Sequence, residues 1–506
     1  MSLFLPDRTT LISLVSGLLL ALCWPRVDAT HLCWIALVPL LLVMENRPFR
    51  SGFAAGVGFF SLLLYWLNIV MTTFGKLPAP LSLVVYLLLV AYLSLYIAAA
   101  TWASSRVREK LGLPYAATLP IFWVACEFLR SFVFTGFPWG SLGYALVESS
   151  TLLQAADLFG VYGLSALIVF VNAVLAAFIV AGRRHSSWPW RLAATAVLLL
   201  ALTVGYGRWR LAELPDESER QLAVGLIQGN IEQGQKWNPD LQQRIVTTYA
   251  DLSLRAAKMG AKLLIWPESA TPVFFQDGGP LAEQVSAIPE RSGGSSLLFG
   301  SPAYTWVNRE RRFLNSAYLL DGEGVLMGRS DKIHLVPFGE YVPMARFLPF
   351  VHKLVEGIGD FSPGTVSPLP LNQSLFGVLV CYEAIFPEIA RDYVNSGSDL
   401  LVNITNDAWY GRSSAPFQHL AIARMRAVEN RVWLARAANT GISAIIAPSG
   451  EVIASTLLFT PDVLNAQVGL GSAPTLYKSF GDTPAILSLL LGLFWLIRTR
   501  QHYSAN

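Results

Sequence analysis

A cysteine between an apolar run and an acidic residue is the first candidate for chemistry in this chain. Cys381 stands in FGVLVCYEAIFPE, residues 376–388. Cysteine is often buried for packing alone, so this stretch by itself leaves two interpretations open, a small core residue or a nucleophile. As a nucleophile, a cysteine can attack a carbonyl carbon and form a covalent acyl intermediate. Other residues must decide between the two.

An acid and an amine stand at the ends of two other strand-like runs. Glu268 ends LLIWPES, where Pro267 restricts the backbone just before the carboxylate. Lys332 lies in SDKIHLVPFGEYVP, and Glu340 follows it on the same stretch. A single carboxylate or lysine at a strand end is usually a solvated surface group. Together with Cys381, however, they would supply the nucleophile, base and oxyanion donor that acyl transfer needs.

Each of these groups has a physical role in such a reaction. Cys381 would attack as the thiolate, whose fraction rises beside the Lys332 ammonium. Glu268 would take the thiol proton, protonate the departing alkoxide and then deprotonate an incoming amine. Lys332 and the backbone N–H of Tyr382 would hold the oxyanion, each contributing roughly 3 to 4 kcal/mol. Glu340 either orients Lys332 or touches substrate.

Two histidines offer a different catalytic arrangement. His334 or His419 could form a Cys-His pair with Cys381. Because a glutamate and a lysine are already in place to act as base and cation, we favour the acid-lysine-cysteine set over this pair.

The segments around these residues alternate between strand and helix patterns. Helices are predicted at 239–259, 386–395 and 416–431. The turns Asp321-Gly322 and Ser449-Gly450 predict hairpins. Apolar runs predict strands at 222–230, 261–269, 295–304, 313–321, 375–383, 399–407 and 436–456.

These patterns predict that residues 209–483 form an α/β domain with mixed sheets. The segment is long enough for a complete hydrophobic core. It contains no P-loop, no G-x-G-x-x-G after a strand, no H-E-x-x-H and no paired C-x-x-C. We therefore predict no metal and no cofactor, and the chemistry must come from side chains.

The rest of the chain is too apolar for an ordinary soluble enzyme. Of 506 residues, 53% are hydrophobic and 14% are charged, and the long uncharged runs lie in 1–208 and 484–498. We predict about eight membrane helices, with seven or nine left open, because a span needs about 20 apolar residues. The spans are predicted near 11–24, 32–45, 52–74, 79–103, 115–134, 160–181, 190–207 and 484–498. The predicted organisation is a seven-helix membrane domain at 1–208, a catalytic domain at 209–483, and a last helix with a tail at 484–506.

The distribution of basic residues predicts the orientation. With the N-terminus in the cytoplasm, the short outer loops hold little beyond Arg26 and Lys76. By the positive-inside rule both termini are cytoplasmic and 209–483 lies outside, in the periplasm of a Gram-negative cell. The net charge of +3 is spread over short loops, which excludes a nucleic-acid-binding face. The inner loops hold Arg8, Arg47, Arg50, Arg106, Arg108, Lys110, Arg183, Arg184, Arg191, Arg498 and Arg500.

Cysteine usage fits this orientation. Cys23, Cys33 and Cys126 fall in predicted membrane segments, which leaves Cys381 alone in the exported domain. An unpaired thiol in an oxidising compartment is unusual for a structural residue, so a reactive role gains weight. Residues 8–23 resemble a signal peptide, but a bulky residue before Cys23 and the spans that follow favour an uncleaved helix.

Two charged residues lie inside the fifth predicted span. Glu127 and Arg130 stand on one face of the predicted helix, so they can pair. We predict a structural ion pair near the membrane interface.

The order Glu268, Lys332, Cys381 in one α/β domain resembles the nitrilase, or carbon-nitrogen hydrolase, superfamily over about residues 220–470. The resemblance implies an αββα sandwich and a Glu-Lys-Cys triad. With the membrane helices and the motifs GFPWGSLGY, QGNIEQGQKW, HLVPFGEYVP and NDAWYG, the chain resembles the apolipoprotein N-acyltransferase family along essentially its whole length. One departure is Ser330, where many nitrilase relatives carry an aromatic residue.

The resemblance implies a ping-pong reaction in the bacterial inner membrane. Cys381 takes an acyl chain from a phospholipid of the phosphatidylethanolamine type, and the thioester passes it to the α-amine of a lipoprotein's diacylglyceryl-cysteine. The implied partners are this lipid donor and this lipoprotein acceptor, with no cofactor, and we expect a monomer. Glu340 and Glu383 are implied supporting carboxylates, and the residues implied near substrate are Trp237, Asn315 and Trp139.

Two other functions stay open at this point. The first is a membrane-tethered amidase or hydrolase of nitrilase type, in which water resolves the acyl-enzyme. The second is a lipid-binding protein without activity, in which Cys381→Ser would keep full function. Apolar stretches at 271–275, 346–355, 408–411 and 457–459 surround the proposed site, and we expect those after Glu340 and Trp409 to form mobile arms at the membrane interface.

Overall fold

The computed structural model describes residues 7–213, 220–342 and 360–501, which belong to two units. The first unit contains Met1–Asn68, Pro78–Glu213 and Ser479–Asn506, and the second contains Ile69–Leu77 and Leu214–Lys478. The predicted organisation into a membrane domain, a catalytic domain and a last helix stays a prediction. Ile69–Leu77, which we expected in the membrane domain, groups with the second unit. The predicted arm at 346–355 lies outside the described residues.

The described helices occupy both units. In chain order they are α1 Arg8–Leu22, α2 Val38–Val43, α3 Pro48–Leu63, α4 Leu67–Ile69, α5 Ala79–Leu111, α6 Tyr115–Arg130, α7 Ser150–Leu153, α8 Ala156–Arg184, α9 Trp190–Glu213, α10 Gln242–Lys258, α11 Pro280–Ser286, α12 Ile288–Arg291, α13 Pro387–Asn395, α14 Ala415–Asn430, α15 Leu476–Phe480 and α16 Thr483–Gln501.

Four helices in the described part of the chain are long and apolar enough to cross a membrane, namely α5, α8, α9 and α16. Helix α3 and the segment Leu67–Phe74 meet at a bend of 59° and add a fifth if they form one span. These correspond to five of the eight predicted spans. The spans predicted at 11–24, 32–45 and 115–134 are represented by shorter helices, so the count of eight is not reached by length and composition.

The second predicted span is broken for a physical reason. Its backbone runs as short helical turns, and Asn172 on α8 binds the groups that a continuous helix would have paired. The Asn172 amide donates to the carbonyl oxygen of Cys33 (2.7 Å) and accepts from the N–H of Leu37 (2.9 Å). Buried backbone groups need such partners, so this polar side chain permits an irregular segment inside an apolar unit.

Glycine lets two helices of the first unit approach closely. A Cβ atom at Gly56 on α3 would stand 2.6 Å from the Cα atom of Ser94 on α5. Small residues at such contacts are typical of helices that associate in a bilayer, because dispersion contacts replace the hydrophobic effect there.

The two buried charges of α6 bind a loop. The Glu127 carboxylate accepts from the N–H of Leu142 (2.7 Å), and Arg130 donates to the carbonyl oxygens of Phe137 (3.0 Å) and Trp139. Among the described contacts there is no ion pair within 4.0 Å between Glu127 and Arg130. The two charges therefore attract each other without direct contact, and the expected direct bond is replaced by bonds to the GFPWGSLGY loop and, for Glu127, to the Trp123 indole N–H (2.9 Å).

The second unit contains two six-stranded sheets. The strands are β1 Gln221–Gln228, β2 Leu263–Ile265, β3 Ser296–Val307, β4 Glu310–Leu320, β5 Leu326–Asp331, β6 Leu369–Leu371, β7 Ser374–Val380, β8 Leu400–Thr405, β9 Leu434–Ala438, β10 Ala444–Ile446, β11 Val452–Ser455 and β12 Asp462–Gly469. The first sheet has the order β12-β1-β2-β3-β4-β5 and the second the order β11-β10-β9-β8-β7-β6.

The two sheets pack face to face with helices outside. Fully buried residues of both sheets, such as Leu226, Ile265, Val378 and Val402, form one core. Helices α10 to α12 pack on the other face of the first sheet, and α13 and α14 contact the second. This is the predicted αββα sandwich. Since the central strands are buried on both faces, most of their residues are apolar, with Asn403 and Arg436 as buried exceptions.

The strand directions bring the candidate residues to one edge. Strands β1, β2 and β3 are parallel, as are β7, β8 and β9. The chain reaches Glu268 just after β2, Lys332 just after β5, Cys381 just after β7 and Asn406 just after β8. Loops that leave the carboxyl ends of parallel strands gather at one edge of a sheet, which is where α/β folds build sites.

Candidate active site

Cys381 occupies a sharp turn between a strand and a short 3₁₀ helix, Cys381–Ile385. Its φ angle is +54°, a left-handed conformation that residues with a Cβ atom rarely adopt. Strain of this kind costs on the order of 1 to 3 kcal/mol and is concentrated at functional sites. Only 5% of the residue is exposed, so Cys381 is buried at the edge of the sandwich.

The Glu268 carboxylate is held by three donors. One oxygen accepts from the Asn315 side-chain amide (2.8 Å) and lies 3.4 Å from the Lys332 ammonium. The other oxygen accepts from the backbone N–H of Asn406 (3.1 Å). The residue is 6% exposed, so these bonds replace water and fix the direction of the carboxylate.

Lys332 lies between two carboxylates. Its ammonium is 3.0 Å from Glu340 and 3.4 Å from Glu268, and the residue is 1% exposed. Burial acts to lower the pKa of Lys332, but the charges of Glu340 and Glu268 raise that pKa above its ordinary value. The ammonium therefore stays charged.

Glu340 is oriented by the backbone and in turn orients Lys332. Its second oxygen accepts from the N–H of Val336 (2.8 Å), and its first is shared by Lys332 and Asn315 (2.9 Å). Of the two roles left open by the sequence, these contacts favour the orientation of Lys332.

The thiol of Cys381 is electrostatically coupled to both neighbours. Burial raises the pKa of Cys381 most, the Glu268 charge raises it further, and Lys332 lowers it by less than these two effects raise it. The pKa of Cys381 thus lies above its ordinary value, although Lys332 acts in the expected direction. The thiol must lose its proton as the substrate carbonyl arrives, which requires a nearby base.

Glu383 connects the two loops that carry Lys332 and the nucleophile. One oxygen accepts from the N–H groups of Ile333 (2.5 Å) and His334 (3.0 Å), and the other from Val380 (2.6 Å). Burial raises the pKa of Glu383 to about 7, while these N–H bonds act to lower it. The fully buried side chain thus fixes the distance between the lysine loop and the end of β7.

His419 contacts the backbone of the nucleophile. Its Nε2 lies 3.1 Å from the carbonyl oxygen of Cys381, and its Nδ1 lies 3.1 Å from Asp407, which binds Arg436 (2.7 Å). Burial and the Arg436 charge lower the pKa of His419. Because a carbonyl oxygen only accepts, Nε2 is the donor to Cys381.

The other histidine is also engaged away from the thiol. His334 stacks on Phe386 with ring centroids 3.7 Å apart. The contacts of His419 with the Cys381 carbonyl oxygen and Asp407, and of His334 with Phe386, do not favour a Cys-His pair.

The predicted substrate-contacting residues fall in different environments. Asn315 bridges Glu268 and Glu340, and its side-chain oxygen has no hydrogen-bond partner within the described ranges. Trp237 is 38% exposed. Trp139 belongs to the first unit, where it is fully buried and packs against Trp66 with centroids 5.0 Å apart. Contact of these residues with substrate stays a prediction.

Tyr382 follows the nucleophile in the first turn of the 3₁₀ helix and is 6% exposed. Backbone N–H groups in the first turn of a helix have no acceptor within the helix. The N–H of Tyr382 is therefore placed next to Cys381 as a potential donor.

Two residues of the site were missed from sequence. Asn406 gives its backbone N–H to Glu268, and Lys236 lies 1% exposed with its ammonium 3.1 Å from the carbonyl oxygen of Glu268. Both stand in motifs that carry the family resemblance. A lysine in the polar stretch EQGQKWNPD looks solvent-exposed in a sequence, however, and only the tertiary fold reveals its burial.

Comparison with protein families covers both units. The model of the apolipoprotein N-acyltransferase N-terminal domain matches residues 16–174, and the carbon-nitrogen hydrolase model matches residues 223–476.

Individual relatives extend the match over nearly the whole chain. An apolipoprotein N-acyltransferase of Geobacter metallireducens is 47% identical over 486 residues, which cover 94% of this chain and 92% of that protein. One of Bradyrhizobium diazoefficiens is 36% identical, covering 83% and 79%.

Two solved structures are similar to about half of this chain. An amidase from Nesterenkonia sp. is 21% identical with a TM-score of 0.37, covering 54% of this chain and 97% of that chain. Nit3 of Saccharomyces cerevisiae, a member of the nitrilase superfamily, is 19% identical with a TM-score of 0.39, covering 53% and 95%.

Proposed function

Because this chain belongs to the apolipoprotein N-acyltransferase family, we propose that Cys381, Glu268 and Lys332 carry its reaction. The chain is an acyltransferase that N-acylates lipoproteins, as the names of its relatives state. The observation that supports the triad is the hydrogen-bonded cluster in which Glu268 contacts Lys332 and both influence the thiol of Cys381.

In the first half-reaction a phospholipid ester meets Cys381. Glu268 takes the thiol proton as the sulfur attacks the carbonyl carbon, and a carbon–sulfur bond forms. Lys332 and the N–H of Tyr382 hold the oxyanion of the tetrahedral intermediate. The carbon–oxygen bond then breaks, Glu268 returns its proton to the departing alkoxide, and a lysophospholipid leaves.

In the second half-reaction the acyl chain passes to the α-amine of a diacylglyceryl-cysteine. The amine loses a proton to Glu268 and attacks the thioester, and the same two donors hold the second oxyanion. The carbon–sulfur bond breaks, and the sulfur recovers its proton from Glu268. Asn315 and the partly exposed Trp237 are proposed to contact substrate, Asn315 through a side-chain oxygen that has no hydrogen-bond partner in the described part of the chain, and Trp139 is proposed as a further contact.

We place this chemistry at the outer face of a bacterial inner membrane. The proposal of about eight spans with both termini in the cytoplasm is supported by the arginines of the alternate loops and by the long apolar helices. It puts the catalytic unit in the periplasm, where an outer-leaflet phospholipid and a lipoprotein are both accessible.

Labelling of introduced cysteines tests this orientation. Single cysteines are placed at Arg106, in a proposed cytoplasmic loop, and at Asp321, in a turn of the catalytic unit. A thiol reagent that does not cross the inner membrane should label Asp321→Cys in intact cells and should label Arg106→Cys only after the membrane is opened. The reverse pattern would contradict the orientation.

The decisive experiment follows the thioester. Purified enzyme is incubated with phosphatidylethanolamine, and intact-mass spectrometry should show one added acyl chain on wild type and none on Cys381→Ala. Addition of a diacylated lipopeptide should then move the chain to its N-terminal amine. Release of free fatty acid instead would support the tethered hydrolase, and transfer by Cys381→Ala at the wild-type rate would support a protein whose cysteine is not catalytic.

A further inference from the structure

A second lysine lies beside the proposed acid-base residue. Lys236 belongs to the loop between β1 and α10, and its ammonium donates to the backbone carbonyl oxygen of Glu268 over 3.1 Å. At 1% exposure it is almost completely buried. Burying an ammonium is costly unless its charge is compensated, so its presence needs an explanation.

The charged groups that interact electrostatically with Lys236 belong to the active site. Burial lowers the pKa of Lys236 to about 8, and the groups that act to raise it again are Glu268 and Cys381. On the same loop, Glu232 is exposed and its carboxylate binds Gln235. In the described part of the chain, Lys332 and Glu340 are charged groups on the side of the Glu268 carboxylate. Lys236 therefore adds a second cation on the backbone side of Glu268.

The peptide that Lys236 binds is conformationally strained. Ser269, which follows Glu268, has a φ angle of +46°. Strand β3 passes very close on another side, since a Cβ atom at Gly300 would lie 2.7 Å from the Cα atom of Glu268. A backbone in a left-handed conformation persists only when its surroundings hold it, and the Lys236 hydrogen bond is one such restraint.

The loop that carries Lys236 is fastened at its other end. Asn439 accepts from the N–H of Ile231 (2.9 Å) and donates to the carbonyl oxygen of the same residue (2.7 Å). The side chain of Gln233 accepts from Asn406, whose backbone N–H binds Glu268. This loop thus contacts Glu268 in two ways. Lys236 binds the Glu268 backbone directly, and Gln233 is linked to the Glu268 carboxylate through Asn406.

We propose that Lys236 is a positioning residue for the acyl-transfer reaction, which holds the Glu268 peptide in its strained turn and supplies positive charge next to the Glu268–Cys381 pair. The inference rests on the triad function proposed above and adds a role to it. Lys236 acts through Glu268: as the thiol proton moves to Glu268 and negative charge develops on sulfur, the nearby ammonium stabilises that charge.

The test measures the rate of thioester formation on full-length enzyme with phosphatidylethanolamine, together with thermal stability. Lys236→Met removes both the bond and the charge and should slow the reaction about 10- to 100-fold, because small misplacements of a catalytic group have effects of this size. The lipid concentration at half-maximal rate should change by less than about twofold, since Lys236 does not touch substrate. Lys258→Met, at an exposed lysine on α10, is the matched control and should react at the wild-type rate.

A pH profile separates this role from simple packing. In wild type the rate should fall above about pH 8, where Lys236 loses its charge. Lys236→Gln keeps a donor for the Glu268 carbonyl but has no charge, so its lower rate should lack this alkaline decline. If Lys236→Met does not fold, the profile of Lys236→Gln decides the question.

Two results would overturn the inference: a wild-type rate in Lys236→Met, or an unchanged alkaline decline in Lys236→Gln. These outcomes are distinct from failure of the proposed triad, which would appear as the absence of a thioester on wild type. If Lys236→Met is only less stable and its folded fraction reacts normally, Lys236 is a packing residue and the proposal is wrong.

Discussion

Two clusters of buried charged side chains, one in each unit, have their hydrogen-bonding groups satisfied in different ways. In the first unit, Glu127 and Arg130 bind backbone groups of one loop. In the second, Glu268 and Glu340 share Lys332 and Asn315 next to a buried thiol. The first arrangement holds a loop in place. The second leaves ionisable groups in mutual contact, so that the movement of one proton changes the energy of all of them.

The comparison indicates where chemistry is to be expected. Removing a charge from water costs several kcal/mol, and backbone dipoles or opposite charges must offset that cost in either unit. A charge offset by fixed backbone groups has no partner with which to exchange a proton. A charge offset by titratable neighbours has partners with which it can exchange a proton, and sites of this kind are frequently functional.

Replacing a buried glutamate by glutamine in each unit should give the largest difference in the rate of thioester formation. Glu268→Gln keeps the shape of the side chain but removes the base, and should lower the rate of thioester formation about 10³- to 10⁴-fold, near the upper range for acid-base groups. Glu127→Gln retains an oxygen that can accept from Leu142, and should leave the rate within about twofold of wild type.

Single-turnover kinetics on both variants, with circular dichroism to check the fold, measures this difference. Equal losses of rate in Glu268→Gln and Glu127→Gln would contradict the distinction between the two units.

Lys332→Met should have the next largest effect. It removes one oxyanion donor, so the rate should fall about 10²- to 10³-fold. It also leaves Glu268 and Glu340 facing each other without a cation, and loss of one partner of a buried ion pair costs about 3 to 5 kcal/mol of unfolding free energy. Lys332→Arg should regain part of the stability but not the rate, because its larger planar group presents different geometry. Rates and denaturation midpoints are measured on the same samples. Recovery of both the rate and the stability in Lys332→Arg would contradict this prediction.

The sequence indicated which residues follow the strand ends better than it indicated the electrostatics of those residues. Glu268, Lys332 and Cys381 could be found because each follows an apolar strand-like run, and strand ends of an α/β domain meet at one edge. The high pKa of Cys381 could not be found, because it depends on burial that no local pattern reports. Lys236 was missed for the same reason.

In the first unit the long helices were predictable and the broken segments were not. Helices α5 and α8 are continuous apolar runs, whose hydropathy alone identifies them. The segment around Cys33 is equally apolar, but its helix is interrupted where Asn172 from a distant helix binds the backbone. A residue far away in sequence therefore decides the local structure, and a window of neighbouring residues does not contain that information.

The pH dependence of stability should report the buried Glu383. Its pKa is raised in the folded state from 4.5 to about 7, so the folded state binds this proton more tightly than the unfolded state. The stabilisation is fully present below the unfolded pKa of 4.5 and is lost as pH rises through about 7. We expect a loss on the order of 3 kcal/mol from this group over that window. Glu383→Gln should lack this component, so the difference between its unfolding free energy and that of wild type should change between pH 4.5 and pH 7. A constant difference would contradict a raised pKa.

The smallest effect should come from glycine packing in the first unit, where no proton is involved. A Cβ atom at Gly56 would meet backbone atoms of α5, which cannot rotate away, so Gly56→Ala should destabilise the protein by about 1 to 3 kcal/mol. At Gly205 on α9, an added Cβ atom would have none of the described atoms within 4 Å, so Gly205→Ala should be neutral or stabilise by up to about 1 kcal/mol through helix propensity. Thermal unfolding in one detergent measures both.

Thioester formation per folded molecule should be unchanged in each, because the packing of the first unit sets how much protein is folded, whereas the side-chain cluster around Lys332 sets how fast it reacts. A large loss of rate in folded Gly56→Ala would show that this separation does not hold.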